Sequence, residues 1–177
     1  MDRLGTFADA RAKVLADIRR FLSRVQSLSA TPVDVVEAGI GVLKVLREDA
    51  YEDLNQIQHE FMIVCAAEWL LTQKWCSQAT VWSWNPRQTG TVDEPDLRGE
   101  FGGVVIASGE ITTSTEPKGL IDSRMRDTLR KLSAMDGRKF YFTASSSMCK
   151  RARTKIQRAG WEIEAVQLPL PTNALQL

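Results

Sequence analysis

Residues 94–113, EPDLRGEFGGVVIASGEITT, restrict the fold of this 177-residue chain more than any other stretch. From 104 to 113 the residues alternate with the two-residue period of a strand. Val104, Ile106, Ser108, Glu110 and Thr112 fall on one side, and Val105, Ala107, Gly109, Ile111 and Thr113 on the other. Ahead of Gly102-Gly103, the same alternation puts Asp96, Arg98 and Glu100 on a common side. Two strands joined by Gly-Gly form a hairpin, which would bring the carboxylates of Asp96 and Glu110 together. Such a pair repels unless a divalent cation neutralises it, and hard carboxylate oxygens suit Mg²⁺. Mg²⁺ so held can lower the pKa of a bound water and stabilise charge on a phosphodiester. The plainer alternative leaves Asp96 in a turn and Glu110 as an edge-strand charge.

Pro95-Asp96 followed by Glu110-Ile111-Thr112 resembles the motif of the PD-(D/E)XK nucleases, with Thr112 where Lys is usual. By element order the resemblance covers roughly residues 60–168. It implies an α/β fold, a restriction-endonuclease-like αβββαβ core with a mixed central sheet and an N-terminal helical annex. The annex would take residues 1–50 and the nuclease core residues 51–177. The implied activity is Mg²⁺-dependent hydrolysis of DNA phosphodiester bonds, with Mn²⁺ as a substitute, by a restriction or defence endonuclease. A homodimer is expected, because cutting both strands needs two sites. Asp96 and Glu110 would bind the metal, with the Ile111 carbonyl as a further ligand. Thr112 cannot be cationic, although its hydroxyl could orient a water. Lys118, in the loop after the strand, or Arg98, on the Asp96 side, would then supply the missing positive charge. The family often adds a helical acid from the element before its first strand; Glu60 and Glu68 both qualify. Thr112 also keeps a second reading open, in which the fold has lost catalysis and binds nucleic acid or a protein partner.

Charge supports a polyanionic partner. The net +1 divides unevenly: residues 1–117 carry 11 Lys/Arg against 17 Asp/Glu, and residues 118–177 carry 12 against 5. The basic segment follows the candidate metal strand and holds Arg124, Arg126, Lys150, Arg151 and Arg153, which would contact DNA phosphates. The competing reading is a pair of solvated basic helices. Three cysteines without a CxxC pair signal neither a disulfide framework nor zinc. One histidine, His59, without a GxSxG elbow argues against serine-hydrolase chemistry. No stretch reaches the roughly 18 apolar residues that span a membrane, and the first residues lack a signal-peptide core. A cytoplasmic protein with no membrane or small-molecule cofactor partner is expected.

The remaining elements follow from periodicity. Residues 7–29 read as an amphipathic helix. Thr31-Pro32 would start a second helix reaching about Glu48, weakened by Gly39 and Gly41, and a third would cover 51–74. Residues 79–84 form a strand in which Trp82 and Trp84 share a face, for packing more readily than for base stacking. The turn-rich residues 85–94 make a loop. A helix over 120–135, a strand over 139–144, a helix over 148–159 closed by Gly160, and a strand over 162–168 complete the order.

Overall fold

The computed structural model describes residues 1–86 and 94–168, apart from the side chains of residues 49–52. Most of the loop expected at 85–94 and the tail from Pro169 lie outside the described residues. Described are a six-stranded mixed sheet and four helices, in the order β1 (Asp2–Arg3), α1 (Phe7–Ser29), α2 (Val36–Thr72), β2 (Val81–Trp84), β3 (Leu97–Phe101), β4 (Val104–Thr112), α3 (Leu120–Ser133), β5 (Arg138–Thr143), α4 (Ser146–Ala159) and β6 (Ile163–Gln167). The strands lie in sequence order. From β1 to β4 they pair antiparallel; β4, β5 and β6 run parallel, with α3 and α4 as the crossovers.

The β3–β4 hairpin turns on Gly102 and Gly103, whose φ values of +60° and +80° suit glycine. Phe101 faces Val104 and Glu100 faces Val105 across it. A bulge between Gly99 and Glu100 then shifts the register by one, so that Arg98 faces Ser108 and Leu97 faces Gly109. Directly opposed residues share a face, so Glu100, opposite Val105, lies on the other face from Arg98. The single side expected for Asp96, Arg98 and Glu100 is therefore broken by the bulge. One step beyond Leu97, the shifted register aligns Asp96 with Glu110. An unshifted hairpin would align it with Gly109 and send the two carboxylates to opposite faces.

The helices differ from expectation in one place. Residues 36–72 form a single α2 of 37 residues, with no break between Glu48 and Tyr51 and no helical start at Pro32. A boundary at residue 50 falls inside this helix. The N-terminal residues also join the body: β1 pairs with β2, and Leu4 and Ala10 enter the main core. That core lies between the sheet and the C-terminal half of α2, where Met62, Ile63, Val64, Ala66, Ala67 and Leu70 are buried. Trp69 stands edge-on to Phe140 and Phe142 at 6.2 and 5.8 Å between ring centres, a contact that adds about 0.5–1.5 kcal/mol per pair to the area buried. Trp82 and Trp84 are buried in the same core, as packing residues. On the opposite face, α3 and α4 cover Tyr141, Ile163 and Ala165 with Met125, Leu129, Leu132, Met148 and Ile156. No described helix is long and apolar enough to cross a membrane.

Candidate active site

A cleft of about 1230 Å³ opens at the C-terminal end of β4. Arg47, Asn55, Gln56 and His59 of α2 form one wall, and Ile121, Arg124, Asp127 and Thr128 of α3 the other. Its floor is the sheet end: Asp96, Glu110, Ile111, Thr112 and Tyr141. Ligand sites favour such strand ends, where loops diverge and backbone groups are left without ladder partners.

Asp96 and Glu110 are brought together there, at 7% and 5% exposure. Asp96 is fixed by the backbone, since the Ile111 N–H donates to its Oδ2 at 2.8 Å. His59 Nε2 lies 3.2 Å from the same oxygen, at ion-pair distance. Neither ring nitrogen of His59 has an aligned hydrogen-bond partner. Burial opposes protonation of this imidazole, but Asp96, with Glu110 and Glu60 behind it, holds its pKa above the ordinary value.

Glu110 feels opposing forces. Lys131 Nζ approaches its Oε1 to 2.6 Å, yet this ammonium donates its hydrogen bond to the Glu94 carbonyl at 3.1 Å. Oε1 is left buried without a hydrogen-bond partner. Burial first, and then the charge of Asp96, push the Glu110 carboxyl up to about 8, against the pull of Lys131 and His59. The close ammonium favours the carboxylate; burial beside a second acid favours the neutral form. Burial prevails, because Lys131 is itself 28% exposed and shares its charge with solvent and a carbonyl. Tyr141, directly across the β4–β5 ladder from Glu110, is held neutral by burial and by the same acids.

Thr112 lines the cleft, and its Oγ1 accepts from the Ser114 N–H at 3.3 Å. Lys118 does not line it; this lysine is 81% exposed and paired with Glu116. Arg98 is also outside the lining, within β3. Glu60 is 1% exposed and receives hydrogen bonds from Lys13 and Gln56, while Glu68 is engaged by Arg11 through two hydrogen bonds of 2.9 and 2.6 Å. The α2 residue that reaches the carboxylates is His59 instead. Of the basic candidates, Arg124 lines the cleft and Arg126 and Lys150 are exposed outside it. Arg151 forms a bidentate pair with Asp122 at 2.8 and 2.9 Å, and Arg153 donates to the Ala165 carbonyl. Lys131 and Arg47 were not singled out by sequence. Lys131 is 21 positions beyond Glu110, and only the β4–α3 crossover makes them neighbours.

Asp96 and Glu110 are the side chains here that could hold a small hard cation, together with water. Glu110 Oε1 has the Lys131 ammonium at 2.6 Å but no aligned hydrogen bond, Asp96 keeps one oxygen outside the Ile111 bond, and the Ile111 carbonyl is adjacent in sequence. Mg²⁺ is often bound through one or two carboxylates and several waters. Among the described residues, no group of three or more His, Cys, Asp and Glu side chains has the geometry to hold a metal ion. No protein-family profile, no curated protein and no solved structure matches the chain.

Proposed function

We propose that the chain is a Mg²⁺-dependent endonuclease acting on DNA phosphodiester bonds, with Asp96 and Glu110 as its metal-binding carboxylates. The observation carrying this reading is the buried, mutually repelling Asp96–Glu110 pair on the floor of a cleft flanked by Arg47 and Arg124, with Lys131 Nζ 2.6 Å from Glu110 Oε1. Two acids buried side by side oppose each other's ionisation, and such perturbed pairs are commonly found at functional sites. Bound Mg²⁺ would supply an acidified water and stabilise charge on the phosphate.

The chain's own residues would divide the remaining work. The Ile111 N–H orients Asp96. Lys131, beside Glu110, stands where the positive charge absent from Thr112 is needed, and would hold a water or a phosphate oxygen once Glu110 turns to the cation. Thr112 would orient a water. Arg47 and Arg124 would bind the nucleic-acid backbone from opposite walls.

Cleavage of supercoiled plasmid in Mg²⁺, with EDTA as control, tests the reading. Glu110→Gln and Asp96→Asn are expected to lower the rate at least about 100-fold, with melting temperature retained. Lys131→Met is expected to lower it about tenfold or more while Mg²⁺ binding by calorimetry persists. Full cleavage by both carboxylate variants would sink the assignment. The absence of a three-residue metal group among the described residues favours a second reading, a non-catalytic nucleic-acid-binding module. That reading expects binding to DNA unaffected by EDTA and no cleavage by the wild type.

A further inference from the structure

The N-terminal half of α2 extends ahead of the sheet and carries Val36, Ile40, Leu43 and Leu54 at 76, 61, 60 and 44% exposure. With Arg47, also exposed, they recur at steps of four, three, four and seven residues, the spacing of a coiled-coil seam. The half-buried Gly39, Val42 and Leu46 mark a different side of the helix, and a Cβ at Gly39 would meet Val33 in the segment ahead of the helix. Exposed apolar side chains gathered on one helix face, as Val36, Ile40 and Leu43 are, mark an interaction site more readily than scattered ones.

We propose that this stripe is the dimer seam of the protein, covered by α2 of a second copy running antiparallel about a two-fold axis between Ile40 and Leu43. The occupant is argued from self-complementarity. Reversing the helix about that axis places Ile40 against Leu43 of the second copy, and Val36 against the stem of its Arg47. It also places Glu37, on the flank of the stripe, against Lys44 of the second copy, twice by symmetry. Lys44 is exposed and lies 4.0 Å from Glu48 of its own helix, so its ammonium can reach the seam through solvent. A parallel arrangement would put Glu37 and Lys44 of the two copies on opposite sides of the seam, so neither pair could form. Arg47 belongs both to the stripe and to the cleft wall, so the second copy would stand at the cleft mouth. The seam goes beyond the nuclease reading and does not rest on it.

Sedimentation equilibrium of the full chain tests the seam by mass and not by cleavage, so the two readings fail separately. Wild type is expected at twice the 19.8 kDa chain mass at micromolar concentration. Ile40→Lys combined with Leu43→Lys should give a monomer with unchanged helical circular dichroism, since both positions are exposed in the single chain. Glu37→Lys and Lys44→Glu should each weaken self-association roughly fivefold. Mixing those two variants should restore wild-type affinity, because each then meets its opposite charge. A wild type that stays monomeric at all concentrations, a dimer indifferent to the Ile40 and Leu43 changes, or a mixture no tighter than its components would overturn the proposal.

Discussion

Glu110 concentrates the chemistry of this molecule in one side chain. Its carboxyl sits in the sheet end with Asp96 beside it, and its folded-state pKa of about 8 exceeds that of an exposed glutamate. The sign of the stability effect follows from linkage. A raised pKa means the folded state holds the proton more tightly, so the contribution is full below the unfolded value and is lost as pH rises through the folded one. In EDTA, wild-type stability should therefore fall between about pH 5 and pH 8 by an amount on the order of 1–3 kcal/mol. Glu110→Gln should flatten that fall, as urea midpoints across the range would record. Equal slopes in the two proteins would show that Glu110 is already ionised against Lys131. The Gly-Gly hairpin, a local signal, brings Asp96 and Glu110 into view as candidates, but their alignment rests on the bulge at Gly99. Lys131 and His59 could not be read from sequence, since each reaches the acids only through tertiary packing.

At the level of elements, the β3–β4 hairpin depends on an irregularity that its sequence hardly announces. Gly102 and Gly103 identify the turn because their positive φ is a stringent demand. The bulge at Gly99 leaves no comparable mark, yet it decides which residue Asp96 faces. Gly99 has a second constraint: a Cβ there would meet the Trp82 ring at 2.8 Å. Gly99→Ala is expected to destabilise the fold by roughly 1–3 kcal/mol, measurable by urea denaturation. Trp82→Leu in the same background should relieve part of that loss. The join between residues 48 and 51 misled for the opposite reason. The polar run REDAYED, after Gly39 and Gly41, has the composition of a connector, but α2 continues through it. Local propensity is a weak guide where a long helix is anchored at its far end by core packing.

Across the whole molecule, the positive charge of residues 118–177 divides into two uses that composition merges. Asp122 is held well below the usual carboxylate range by Arg151 and then by Lys155, so these cations join α3 to α4. Arg124 faces the cleft instead. Arg124→Ala should weaken DNA binding several-fold and reduce the slope of log affinity against log salt by about one. Arg151→Ala should lower the melting temperature and leave that slope nearly unchanged, and titrations at several salt concentrations separate the two. The unbroken α2 has a mechanical consequence. It is a single rod of about 55 Å, from 37 residues at 1.5 Å each, and it carries the exposed stripe near one end, Arg47 farther along and His59 beyond that. Without a joint between these points, a tilt of the free end would be carried along the rod about the segment buried against the sheet. A small tilt imposed at its free end would open or narrow the cleft, so grip on a ligand and load on the arm become one variable.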